Sequence, residues 1–292
     1  MMGYGFVLLA AALWGLLGPV SRFALAAGVS PLEVAFWRAV MGGVLFGVHA
    51  ALRGQVRIAR RDLPAVIAFG VVGIALFFAS YQRAVQEGGA ALASVLLYTA
   101  PVWVALLSAL LLGERLTGRK VLAMGMATAG VVGIALVGGG GVRLSGAALF
   151  WGLLAGWAYA TYYIFGRRYF ARYAAATLFL YAYPVGAAGM LPWVHFVPKT
   201  ATAWAALAFV AVVPTYLAYL AYSVGLRRVE ATRAATVATL EPVVAAVFAY
   251  ALWGERLGAA GYACAALVLA GVCVMVTGGA PAEGGAEAAP AA

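Results

Sequence analysis

Two stretches decide how this chain is read: P-V-W-V-A-L-L-S-A-L-L-L-G-E-R-L over Pro101–Leu116, and P-V-V-A-A-V-F-A-Y-A-L-W-G-E-R-L over Pro242–Leu257. Each begins with proline, runs on through apolar residues and ends in Gly-Glu-Arg-Leu. The copies lie 141 residues apart (Pro101 to Pro242, Glu114 to Glu255), and Tyr81 and Tyr222 keep the same offset. One offset held across three segments marks an internal repeat. Trp14-Gly15 and Trp157-Ala158 form a looser match at an offset of 143.

The apolar run inside each copy is typical of the whole. Of the 292 residues, 66% are hydrophobic and 10% are charged, and the mean hydropathy is +0.99. A soluble domain carries about 25% charged residues, so the solvent for this surface is lipid. Lipid admits only helices and closed barrels, because every backbone polar group must be satisfied internally. Barrel strands would alternate over about 10 residues. Here the runs are continuous and near the roughly 20 residues a helix needs to cross the hydrocarbon. They fall at 3–27, 31–52, 64–86, 89–112, 118–138, 145–166, 175–195, 201–223, 231–253 and 258–277. Short turns join them, as at Gly28-Val29-Ser30-Pro31, Gly138 to Gly141 and Pro198. The N-terminus is apolar at once and lacks a basic leader region, so it reads as the first membrane helix rather than a signal peptide. The Ala, Gly, Pro and Glu tail over 278–292 reads as disordered.

The net charge of +10 does not point to nucleic acid, because the basic residues sit in short loops. Arg53, Arg57, Arg60, Arg61, Arg115, Arg119, Lys120, Arg167, Arg168, Arg172, Arg227, Arg228 and Arg233 fall in alternate loops on one side. The other side has only Arg83, Arg143, Lys199 and Arg256. The positive-inside rule puts the first set, and both termini, in the cytoplasm. Five helices per repeat is an odd number, so the second copy enters the membrane from the opposite side. The expected fold is an all-α integral membrane protein of ten transmembrane helices, built as two inverted five-helix repeats over 3–138 and 145–277. Many secondary transporters have this plan, with a site near the midplane between the halves.

Five segments hold an internal proline: Pro19, Pro101, Pro184, Pro214 and Pro242. Proline removes a hydrogen bond and bends the helix. A static kink is one reading; for the repeat-related Pro101 and Pro242, shaping of a cavity is favoured. Glu241 sits near the middle of the ninth segment, where an acid costs about 2.5–3.5 kcal/mol on insertion scales. It must face a cavity or a partner. Its repeat-mate is Ala100, so the fold does not require it. Arg38, inside the second segment, is the obvious partner. Two roles are open: a structural ion pair, or a coupling or substrate-binding acid. Glu33 reads as an interfacial charge. Of the aromatics, Trp14, Tyr98, Trp157 and Tyr219 lie deep enough to line a pocket, to which Gln82 and Thr239 can add hydrogen bonds. Tyr81, Tyr163 and Tyr222 suit an interface belt equally well. Gly43-x-x-x-Gly47 and Gly152-x-x-x-Gly156 read as helix packing. Cys264 and Cys273 form no disulfide framework or metal spacing, and no cofactor is expected.

The duplicated Pro-to-Gly-Glu-Arg-Leu pattern, the Trp near the start of each half and the Arg inside the second segment resemble the EamA family of the drug/metabolite transporter superfamily. Leu240-Glu241-Pro242-Val243 is similar to the family's second-half motif, whereas the first half reads Thr99-Ala100-Pro101-Val102. The resemblance implies a bacterial inner-membrane carrier, often an exporter of amino acids (aromatic ones included) or related metabolites. It implies a central cavity; Glu241, read as a coupling acid, would make protons the coupling ion. Related carriers also move sugars, nucleotide sugars and drugs. Arg38 is the one Arg or Lys well inside a segment, which argues against strongly anionic cargo. An intramembrane metalloprotease would need a His-Glu-x-x-His helix, and His49 and His195 lie far apart at segment ends. A channel would show rings of charge or a carbonyl filter.

Overall fold

In a computed structural model, which describes residues 2–137 and 143–277, the apolar runs are helices and no strand occurs among the described residues. The expected turn at Gly138–Gly141 and the expected disordered tail from Gly278 lie outside them. The helices are α1 (Met2–Leu25), α2 (Pro31–Leu52), α3 (Leu63–Gly88), α4 (Ala90–Leu111), α5 (Gly118–Val137), α6 (Gly146–Tyr169), α7 (Ala175–Trp193), α8 (Ala201–Leu226), α9 (Ala231–Trp253) and α10 (Ala259–Thr277). All but α6 are long and apolar enough to cross a membrane, so nine among the described residues meet that test where the sequence suggested ten. With 24 residues, α6 has the length, about 36 Å at 1.5 Å per residue. Its four tyrosines and the closing Arg167-Arg168 dilute the apolarity. The exterior is apolar, with Leu110, Val247 and Leu122 at 80%, 61% and 59% exposure.

Side-chain hydrogen bonds tie the helices together at each end of the bundle. At the end holding the start of α1, called here the terminal end, Asp62 accepts from Tyr173 Oη (2.7 Å) and Arg167 donates to the carbonyls of Leu226 and Arg227. Arg119 at the start of α5 reaches Thr277 at the close of α10 (2.8 Å). At the far end Arg22 pairs with Glu255, Trp253 Nε1 donates to the Pro19 carbonyl (3.0 Å), and Arg143 Nη2 donates to the Gln86 carbonyl (2.9 Å).

Several helices are interrupted, and the interruptions match in position. In α4 the helix stops at Leu97 and restarts at Ala100; in α9 it stops at Ala238 and restarts at Glu241. Pro101 and Pro242 each sit second in the restarted helix, where the missing N–H costs nothing. Thr99 and Thr239 donate their hydroxyls to the carbonyls of Leu96 and Thr236 (2.6 Å each), satisfying groups that the break exposes. Wide π turns occur at Gly70–Leu76 in α3 and Val212–Leu217 in α8, the second around Pro214. In α1 the break falls at Leu16, with Pro19 in the restarted helix, and Pro184 sits within an unbroken stretch of α7.

Close backbone crossings recur at the same offset. A Cβ at Gly130 of α5 would lie 2.6 Å from the Cys264 carbonyl of α10; one at Gly271 of α10 would lie 2.7 Å from the Ala123 carbonyl of α5. Both glycines and both targets differ by 141. Likewise Gly15 of α1 meets α9 at its break (2.7 Å to Val244), and Gly156 of α6 meets α4 at its break (2.8 Å to the Leu96 carbonyl). Where lipid is as apolar as the side chains, such close backbone approach supplies the packing that burial cannot.

Candidate functional site

The interrupted helices surround a cavity of about 410 Å³, within the range of small-molecule sites. Its walls come from α1, α2, α3, α4, α6, α8 and α9. The lining runs from Leu25, Pro31 and Ala90 at the far end down to Trp14, Tyr98, Tyr159, Tyr219 and Glu241 at mid-depth. No residue of the terminal-end loops contributes.

Six of the residues singled out in the sequence meet here: Trp14, Arg38, Gln82, Tyr98, Tyr219 and Glu241. Thr239 does not line this cavity. It borders a small void of about 10 Å³, beside Tyr98 and Pro101, with room for about one water. Trp157 lines neither and packs half-buried against the core. At the constant offset the repeat-mate of Trp14 is Ala155, fully buried. Two further residues turn a helix by about 200°, so Trp157 faces away from the position that Trp14 holds.

Arg38 is only 7% exposed, and its Nε donates to Thr215 Oγ1 at 2.7 Å. Thr215 sits in the π turn of α8, where its hydroxyl also donates to the Val210 carbonyl (2.8 Å). Because the donor held is Nε, the two terminal nitrogens of the guanidinium stay free of that bond. The Phe78 ring lies 5.6 Å from the guanidinium carbon. Glu241 opens the second half of α9, where the dipole of the restarted helix favours a carboxylate. Glu241 and Arg38 face the same cavity, yet no ion pair joins them within 4.0 Å. The expected pairing across α2 and α9 is therefore absent. The floor is aromatic: Trp14 meets Tyr219 edge-on and Tyr222 at a tilt, with centroids 5.3 Å away in each case. The buried Trp14 Nε1 donor has no partner among the described residues.

Thr215 gave no signal in the sequence beyond its place after Pro214. The aromatic cluster of Phe77, Phe78 and Tyr81 forms one wall of the cavity, with Tyr81 Oη 3.2 Å from Ser94 Oγ, so of the two roles open to Tyr81 the structure places it at the cavity. Glu33, expected at an interface, is fully buried: Lys199 Nζ lies 2.5 Å from its Oε1, caged by Trp37, Trp204 and Phe196. Its partner comes from a loop more than 160 residues away.

At the terminal end the bundle is shut. Glu230 accepts from Lys120 (2.9 Å) and Arg233 (2.6 Å), and Arg233 reaches Tyr4 Oη (3.0 Å). Burial raises the Glu230 carboxyl's pKa, but the Lys120 and Arg233 hydrogen bonds outweigh it and hold the group below its ordinary value. Glu114, from the first Gly-Glu-Arg-Leu copy, accepts from the Ala231 N–H at the start of α9 (2.7 Å).

Comparison with known proteins agrees with this geometry. The EamA-like transporter family matches the chain twice, over residues 1–136 and 146–277. An uncharacterized transporter of Archaeoglobus fulgidus is 30% identical over 89% of this chain and 92% of its own. A probable terminal-alkyne amino-acid exporter of Streptantibioticus cattleyicolor is 28% identical over 78% of this chain and 77% of its own. A solved crystal structure superposes with a TM-score of 0.82, covering 93% of this chain and 95% of that one; at 20% identity the likeness speaks for the fold alone. The chain thus belongs to the EamA-like transporter family and is a multi-pass inner-membrane transporter.

Proposed function

We propose that the protein is a secondary carrier that exports amino acids, with aromatic or other apolar side chains preferred, by alternating access around this cavity. The observation that carries the reading is the pair of unpaired charges. One cation and one anion face a single aromatic cavity with no ion pair between them within 4.0 Å, so a zwitterion can bridge both. Arg38 offers its terminal nitrogens to a carboxylate, and Glu241 accepts from an ammonium group. The walls of Phe77, Phe78, Tyr98 and Tyr219 receive the side chain, and the free Trp14 N–H supplies a further donor. A strongly anionic cargo would meet a single buried guanidinium and an opposing carboxylate. The amino-acid exporter among the relatives belongs to the same substrate class.

The architecture proposed with it is ten membrane helices in two inverted five-helix halves. Support comes from the matched breaks in α4 and α9, the matched π turns and the reciprocal glycine contacts, which are what a two-fold relation between halves produces. Counting α6 as a span keeps the helices alternating, and the charge asymmetry then sets the terminal end and both termini in the cytoplasm. The cavity accordingly opens outward in this state. Glu241 is assigned proton coupling: protonation in the outward state releases the ammonium group and prepares the return.

Flux of a labelled amino acid panel in proteoliposomes, with and without a pH gradient, tests this. The wild type should show saturable flux that responds to the gradient, and Glu241→Gln should lose the response. Saturable flux that is equal in both proteins would remove Glu241 from coupling. No flux of any amino acid would remove the substrate class.

A further inference from the structure

The repeated Gly-Glu-Arg-Leu motif takes no part in the cavity, yet its two copies end their helices alike. Gly113 and Gly254 are left-handed, each with φ +69°, a conformation that suits glycine at a helix C-terminus. The next N–H, of Glu114 or Glu255, returns to the carbonyl of Ser108 (3.1 Å) or Ala249 (3.4 Å). Each turn thereby carries a glutamate past the end of its helix. The difference lies in what that glutamate meets.

Glu114 caps the N-terminus of α9. Its oxygens accept from the N–H groups of Ala231 (2.7 Å) and Thr232 (3.1 Å) and from the Thr232 hydroxyl (2.8 Å). A carboxylate there satisfies orphan donors and meets the positive end of the helix dipole. At the constant offset of 141, Glu255 should do the same for Ala90 and Ala91 at the start of α4. Instead it pairs with Arg22, about half exposed. Gly89 precedes α4 with no side chain to cap it, and Ala90 lines the cavity near the far end. The capped end is shut, and the uncapped end is the one the cavity reaches.

We propose that the two glutamates are alternating gate latches: Glu114 clamps the start of α9 while the far end is open, and Glu255 releases Arg22 to clamp the start of α4 when the terminal end opens. This rests on the alternating-access reading above. The two latches are unequal. Thr232 has Ala91 as its counterpart, so the far-end latch lacks the third hydrogen bond. Glu230 and Lys120, which brace the start of α9, correspond to Gly89 and Gly261. The chain therefore rests with the terminal end shut.

The test is accessibility of a single cysteine in the full chain, held in lipid nanodiscs, with Cys264 and Cys273 replaced by alanine. Ala235→Cys reports from beneath the Glu114 latch and Ser21→Cys from the outer cavity, both read as labelling rates with a water-soluble maleimide. Glu114→Gln exchanges an accepting oxygen for a donor. It should raise labelling at position 235 roughly tenfold, the effect of losing one hydrogen bond to a charged group, and lower it at position 21. Ala91→Thr supplies the missing bond at the far end and should shift both rates the same way with Glu114 intact. Glu255→Gln should cancel that shift. Wild-type labelling at position 235 in Glu114→Gln overturns the proposal, as does an Ala91→Thr shift that survives Glu255→Gln. If Glu114→Gln fails to fold, the second pair decides alone. Labelling needs no substrate, so a shift without amino acid flux supports the latches and removes only the amino acid substrate class, whereas amino acid flux without a shift keeps the transport reading and removes the latches.

Discussion

The hydrogen bond from Arg38 to Thr215 gives the sharpest quantitative prediction. Thr215→Val removes the acceptor of the buried Nε donor (2.7 Å) and the hydroxyl's own donation to the Val210 carbonyl (2.8 Å) at nearly constant volume. A lost bond to a charged group costs about 1.5–3 kcal/mol and a neutral one about 0.5–1.5 kcal/mol. The Val210 carbonyl lies beside the π turn and keeps access to backbone donors, so the first cost dominates and the sum is about 2–4 kcal/mol. For a chain of this size that lowers the melting temperature by roughly 4–8 °C. The guanidinium is also freed to turn, so KM for a carboxylate-bearing substrate should rise more than kcat falls. Thermal unfolding in detergent and proteoliposome flux read the two effects, with Thr215→Ser, which keeps the hydroxyl, close to wild type in both. If Thr215→Val matches wild type in stability and KM, or if Thr215→Ser is as damaging as Thr215→Val, the assignment of Thr215 as the residue that positions Arg38 is wrong.

Other outcomes follow from the packing and charges. Gly130→Leu places a side chain where a Cβ already meets the Cys264 carbonyl, so α5 and α10 should part at a cost of about 1–3 kcal/mol; Gly125→Leu, in open space on the same helix, should leave the melting temperature unchanged. Lys199→Met strands the fully buried Glu33 carboxylate and should cost about 3–5 kcal/mol, while adding Glu33→Met to it should recover most of the loss, as unfolding curves of the three proteins would show. Glu230 has a lowered pKa in the folded chain, so its contribution is present above its ordinary value of 4.5 and is lost as pH falls through the folded value. The terminal-end clasp of Glu230 with Lys120 and Arg233 should therefore be indifferent to pH from 5 to 8 and loosen only in acid. Because a maleimide attacks the thiolate, the check is the Ala235→Cys labelling rate in a Glu241→Gln background divided by the rate of the same chain unfolded in denaturant at each pH, a ratio that should stay flat down to pH 5.

What the sequence displays is what depends on periodicity and on offset. The length of each apolar run sets the helices, and a constant offset of 141 locates the paired breaks at Pro101 and Pro242 before any coordinates exist. The cost of a central acid singles out Glu241, and the cavity does lie there. The sequence is less informative wherever the decisive fact is rotation about a helix or a distant partner. Trp157 has the right depth but the wrong face, because two residues of slippage are invisible in a motif and large on a helix. Glu33 looks like an interface charge until Lys199 arrives from a loop after α7. Arg38 and Glu241 suggest an ion pair by depth alone, and only the placement of Thr215 explains why the guanidinium is held to another side. The Gly-Glu-Arg-Leu copies look identical in sequence, and their different partners, Thr232 for Glu114 and Arg22 for Glu255, depend on which end of the bundle is shut.

The central claim is that Arg38 and Glu241 together hold a zwitterion in the aromatic cavity. The direct measurement is competition in proteoliposome counterflow, in which a labelled amino acid is challenged with its unlabelled form, its amide lacking the carboxylate, and its deaminated acid lacking the ammonium group. The account predicts that only the zwitterion competes well, and that Glu241→Gln selectively erases the preference over the deaminated acid while keeping the preference over the amide. Equal competition by all three compounds, or an unchanged ranking in Glu241→Gln, would contradict it.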